Sequence, residues 1–194
     1  VIAVYSINTA KGDDIMSEVY PLKTKSDIDA MKASLHGRDL LMFIIGINSS
    51  LRISDIVKLK REDFDGERLI LREKKTSKMK YIYINDSIRK ALDELAPESG
   101  YLFPSRKSDE NGEVKPITPT QAHRIIKDAA KRAGIEYNVG SHTMRKTFAK
   151  FAYDNGTDLA LLMRILNHAS QAETLRYIGI ERKHQDEVYI DINL

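Results

Sequence analysis

Apolar residues along this chain recur mostly at helical spacing, with one stretch that alternates instead. Residues 1–22 show no clear period and read as a lead-in or linker. After them, TKSDIDAMKASLH opens with Ser and Thr cap candidates and runs as a short helix. Residues 38–48, RDLLMFIIGIN, are nearly all apolar and predict a buried helix. SDIVKL follows, with Ser54 as its cap candidate. Asp65-Gly66 then marks a turn, and RLILRE and KMKYIYIN alternate as strands on either side of a KKTS bend.

The helical period returns over residues 86–95 and 120–133, the second with Thr118 as cap, Pro119 at its first position and Gly134 as its stop. Between them, PSRKSDENGEVKP reads as a polar surface loop. Three further helical segments follow: SHTMRKTFAKFAYDNG, then TDLALLMRILNH capped by Thr157, then QAETLRYIG, before a charged tail over residues 181–194. The pattern predicts an α+β, mostly helical domain with a small antiparallel β-hairpin. One core is expected over residues 23–194, with no internal repeat.

Composition narrows the class. With 194 residues, 42% hydrophobic, only 5 Pro and 10 Gly, the chain is globular. The absence of cysteine excludes disulfide scaffolds, thiol catalysis and Cys-type zinc sites. No apolar run is long enough for a membrane span and the first residues lack a signal-peptide pattern, so a soluble, cytoplasmic protein is expected. The net charge of +3 is mild, but it is unevenly distributed. REKKTSKMK (72–80) sets five Lys and Arg against Glu73, and HRIIKDAAKR (123–132) sets four against Asp128. Such patches suit nucleic acid, although each alone is equally a solvated face.

The SHTMRKTF segment carries the first chemical signal. Its opening turn holds His142, Arg145 and Lys146 and no carboxylate. A helix start already bears partial positive charge and unpaired N–H groups, so cations there are unfavourable unless an anion joins them. His142 and Arg145, three apart, share a face, while Met144, Phe148, Phe151 and Ala152 form a separate apolar stripe. Arg52 lies between Leu51 and Ile53, where a permanent charge needs a partner, and Asp55 is a candidate. Lys75 sits at the hairpin bend, with Lys74, Lys78 and Lys80 as rivals. His168 ends an apolar helix, and Tyr177 follows nine residues later. Each has an ordinary structural alternative; their order along the chain is what stands out.

Together, LRISDIVKL, KKTSKMKYIYI, SHTMRKTFA and LLMRILNHASQAETLRYIG resemble the catalytic domain of tyrosine recombinases, the integrases of phages and conjugative elements. The resemblance runs from about residue 23 to 180. It departs from the family at Ser50 and Asn167, where Gly is usual, and at Lys146, where His often follows His-x-x-Arg. Asn tolerates the left-handed backbone that Gly commonly adopts.

The resemblance implies a site-specific DNA recombinase that acts without cofactor or metal on double-stranded DNA, as a tetramer. Arg52, Arg145 and His168 would hold the scissile phosphate, Tyr177 would be the nucleophile, His142 its base and Lys75 the proton donor to the leaving oxygen. Asp55 would orient Arg52 or the neighbouring turn. Lys74, Lys78, Lys80, Arg124 and Lys146 are the expected DNA contacts. An N-terminal clamping domain is usual in the family, and residues 1–22 are too few to supply it. The apolar VYI of the tail fits docking on a neighbouring subunit and equally packing on its own domain. Two alternatives use the same residues: DNA relaxation of the type IB topoisomerase kind, and DNA binding without cleavage. A purely structural or protein-binding module stands further off.

Overall fold

The computed structural model of the chain describes residues 18–73, 77–108, 110–180 and 190. Side-chain caps set most helix starts. Thr24 Oγ1 accepts from the Asp27 amide and Asp27 accepts in return from the Thr24 amide, opening α1 (Lys25–Ala33). The apolar segment forms α2 (Gly37–Ser49), burying Leu41, Met42, Phe43 and Ile45. Ser50 ends α2 in the left-handed region, at φ 56°, and the chain turns directly into α3 (Ile53–Ile56). Arg52, not Ser54, occupies the cap position of α3, so Ser54 lies inside that short helix.

The predicted hairpin pairs β1 (Arg68–Arg72) with β2 (Met79–Tyr83), antiparallel, Arg68 opposite Tyr83 and Arg72 opposite Met79. The two-residue period sends Leu69, Leu71 and Glu73 to the protein side with Lys80, Ile82 and Ile84. Ile70, Met79, Tyr81 and Tyr83 remain exposed on the other. α4 (Asp86–Leu95) is capped by Asn85.

The polar segment expected to be a loop forms a second hairpin, β3 (Pro104–Ser108) with β4 (Val114–Pro116), irregular in register. Its polar composition masked it because a two-stranded ribbon at the surface needs no apolar alternation. Gly112, at φ 80°, supplies a turn conformation there. α5 (Pro119–Arg132) starts with Thr118 as cap and Pro119 at its first position, and Gly134 follows it at φ 71°.

α6 (Ser141–Asp154), α7 (Leu159–Leu166) and α8 (Gln171–Tyr177) complete the described fold. Asp158 caps α7 in place of the expected Thr157, accepting from the Ala160 and Leu161 amides. A carboxylate at that position also complements the helix dipole, which a hydroxyl does not.

Two apolar clusters hold these elements. The larger is centred on α2, with Ile56, Ile88, Leu92, Ile126 and Met144 from the surrounding helices. α2 and α6 approach closely at Gly46, where a Cβ would lie 2.5 Å from Met144 Sδ. The second cluster, not anticipated from sequence, joins α6, α7 and α8 through Ala149, Leu162, Leu166 and Ile178. It is built at long range, from side chains no local period brings together. Among the described residues, no helix is long and apolar enough to cross a membrane.

Candidate active site

Three chain reversals aim the polar groups at one place. The left-handed Ser50 turns α2 into the strand-like step that presents Arg52. Gly140, extended, starts α6 and sets His142 and Arg145 on its opening turns. Asn167, left-handed at φ 54°, ends α7 and delivers His168, whose amide donates to the Met163 carbonyl. Both non-glycine residues sit where Gly was expected, and each makes side-chain bonds that Gly lacks.

Arg145 is the hub. It is 3% exposed, and its two terminal nitrogens donate to the carbonyls of Ser50 and Leu166. One guanidinium thus ties the ends of α2 and α7 to the start of α6, satisfying carbonyls left open by helix ends. Burial, then the neighbouring Arg52, lowers its affinity for its proton, while the Tyr177 hydroxyl and Glu73 favour the charged form.

Arg52 makes an ion pair of 2.9 Å with Glu73. Sequence reasoning did not single out Glu73, although the alternation of Leu69 and Leu71 already placed it on the protein side of the hairpin. Asp55 is buried in the same cluster. Lys80 lies there too: its ammonium donates to Ser50 Oγ at 2.9 Å and to the Ser50 carbonyl, and approaches Glu73 at 3.9 Å. Burial, with Arg145 and Arg52 nearby, pushes Lys80 down to about 8 against the pull of Glu73 and Asp55.

His142 is exposed at the rim, yet protein against its ring removes water from part of it. That desolvation, reinforced by Arg145, Lys146 and Arg52, lowers its pKa. His168 is lowered in the same way, by burial first and by Arg145 and Arg52, with Glu173 opposing. Thr174 Oγ1 lies 3.1 Å from His168 Nδ1 and leaves Nε2 as the nitrogen open to a reacting group.

Tyr177 stacks edge-on against His168, with ring centroids 4.9 Å apart. Lys146 lies 5.2 Å over its ring. Its hydroxyl is buried, which raises its pKa, while Arg145 beside it and Arg52 pull the other way. The structure therefore brings Arg52, His142, Arg145, His168 and Tyr177 into one charge-coupled cluster. Lys74 and Lys75 lie outside the described residues.

The remaining expected DNA contacts divide. Arg124 and Lys78 are exposed, Lys78 donating to Asn167 Oδ1. Lys80 and Lys146 are turned inward: Lys80 by the strand period, Lys146 into an ion pair of 2.8 Å with Glu18 of the lead-in.

A model of the phage integrase family matches residues 22–184. The chain belongs to that family. The chain is 40% identical over 173 residues to the probable integrase/recombinase YoeC of Bacillus subtilis (strain 168), covering 86% of this chain and 92% of that one. Its fold matches the XerA recombinase with a TM-score of 0.70 at 22% identity, over 91% of this chain and 67% of that one. XerH site-specific recombinase bound to its difH substrate matches with a TM-score of 0.63 at 18% identity, over 93% and 57%. The chain spans about half the length of the XerC and XerA relatives it matches.

Proposed function

We propose that this integrase cuts and rejoins double-stranded DNA site-specifically, through a covalent bond between Tyr177 and a 3′ phosphate. The observation that carries this is the gathering of Arg145 and Arg52 about the buried hydroxyl of Tyr177, with His168 against its ring and His142 beside the same arginines.

Each group has a task the chemistry requires. A phosphodiester under attack gathers charge on its non-bridging oxygens, and two guanidiniums with His168 stabilise that charge by donated hydrogen bonds. Tyr177 Oη attacks phosphorus and its proton passes to His142, which its surroundings keep neutral and so able to accept it. The bond from phosphorus to the 5′ oxygen breaks, and Lys75 donates the proton that this oxygen needs. A 5′ hydroxyl from a second strand then attacks the phosphotyrosine, giving its proton back to Lys75, and Tyr177 leaves with the proton held by His142. The bond energy is retained throughout. Asp55 stabilises the turn that presents Arg52, and Arg124 and Lys78 grip the DNA backbone. Exchange between two duplexes requires four cuts, one Tyr177 for each, so the working unit is a tetramer on DNA. The protein is accordingly DNA-associated in the cytoplasm.

The test uses the full-length protein and nicked, random-sequence duplexes whose cleaved end diffuses away. Wild type forms a denaturant-resistant adduct that maps to Tyr177; Tyr177→Phe forms none and binds DNA as before. An adduct that survives in Tyr177→Phe removes Tyr177 from this role. Supercoil relaxation with no recombinant product would favour the topoisomerase alternative.

A further inference from the structure

The Glu73 carboxylate is out of place in a pocket that is to receive phosphate. Its residue is 2% exposed and lies among Arg52, Arg145 and Lys80, where an anion competes directly with the DNA oxygens. A buried carboxylate there has to be offset by its contacts. One oxygen holds Arg52 at 2.9 Å and approaches Lys80 at 3.9 Å; the other accepts from Asn167 Nδ2 at 3.4 Å. The same residue closes the base of the hairpin tip through its backbone, donating to the Lys78 carbonyl and accepting from the Ser77 amide.

We infer that Glu73 is the positioning residue for Arg52, coupling the β1–β2 hairpin to the turns that carry Arg52 and His168. It rests on the function proposed above. The ion pair at 2.9 Å holds the Arg52 head group against the carboxylate by charge, within the buried pocket. Lys80 and Arg145 both donate to Ser50, the residue whose left-handed turn leads into Arg52, so the backbone under Arg52 is held as firmly as its head group. Asn167 joins the same carboxylate from the end of α7, one residue before His168. Glu73 thus acts through Arg52 and through the residue that precedes His168.

The experiment compares wild type, Glu73→Gln and Glu73→Asp, each with Arg52 intact and as Arg52→Ala, in the full-length protein. Gln removes the charge at nearly constant size; Asp keeps the charge but withdraws it by one methylene, and serves if the Gln variant does not fold. Three quantities are read: the single-turnover rate of adduct formation on the nicked duplex, DNA affinity, and the NMR signal of the Arg52 guanidinium. With Arg52 present, both variants slow adduct formation on the order of 10-fold or more without loss of DNA affinity, because a misplaced donor loses transition-state contact. The Arg52 signal broadens or averages. With Arg52→Ala, the Glu73 variants cause no further loss, since the two positions act as one.

An equal loss in both backgrounds, or an Arg52 signal unchanged by either variant, overturns the inference. Failure of wild type to trap any DNA counts against the proposed function alone, and the Arg52 signal then decides the role of Glu73 by itself.

Discussion

His142 and His168 show how a site of this kind sets protonation residue by residue. Both rings lose water on folding and both face Arg145 and Arg52, so both prefer the neutral form. NMR titration of the unbound protein is expected to place both midpoints below the ordinary histidine value of about 6.5. The sign for stability follows: the unfolded chain binds protons at these rings more readily than the folded one, so their contribution to stability falls as pH drops through the histidine range. A midpoint above the ordinary value for either ring would mean that a carboxylate, not the arginines, governs it. Glu73 is the residue that sequence inspection passed over, because an acidic residue beside a run of lysines looks like charge balance. Its burial depends on partners from α3 and α7, which no local pattern reveals.

At the scale of elements, the helix ends do the positioning. Ser50 and Asn167 both adopt left-handed backbone immediately before a site residue or the step leading to one. For a non-glycine residue that conformation is unfavourable, less so for Asn. Asn167→Ala should lower stability by about 1 kcal/mol or more, whereas Asn167→Gly should lose less, because Gly relieves the backbone while giving up the bonds to Lys78 and Glu73. Thermal or denaturant unfolding of the pair separates the backbone contribution from that of the side chain. If Ala proves as stable as Gly, the left-handed cap is not what fixes His168. Most of these elements were legible beforehand: the caps of α1 and α5, the apolar α2 and the β1–β2 hairpin. The β3–β4 ribbon was not, since its polar surface strands carry no alternation, and the caps of α3 and α7 were each displaced by one or two residues.

On the scale of the whole molecule, the proposed nucleophile depends on a minor cluster. Tyr177 and α8 are held to the fold by Ala149, Leu162, Leu166 and Ile178, whereas α2 is enclosed by the main core. Leu166→Ala is expected to cost about 3 kcal/mol, as buried Leu→Ala changes do. The loss should be local: hydrogen exchange should quicken across α7 and α8 well before α2 and α4, and adduct formation should fall with it. Uniform acceleration throughout the chain would instead show that the two clusters unfold as one unit. The lead-in also belongs to this scale. Glu18 pairs with Lys146 and the Leu22 amide donates to Thr147, so the segment entering the domain is strapped across α6 beside the tyrosine.

The sequence by itself determined the helices and the hairpin, because periodicity, caps and left-handed positions are energies settled within a few residues. It also determined the identity of Arg52, His142, Arg145, His168 and Tyr177 as one ordered set. Only the tertiary structure decided which cations face solvent and which are spent inside. Lys80 and Lys146 both lie in basic runs of the sequence, yet in the fold one is held against Ser50 and the other by Glu18. Whether a charge is exposed, paired or buried is set by its distance from water and from partners remote in the chain, and those distances exist only once α2, the hairpin, α6 and α7 have packed together.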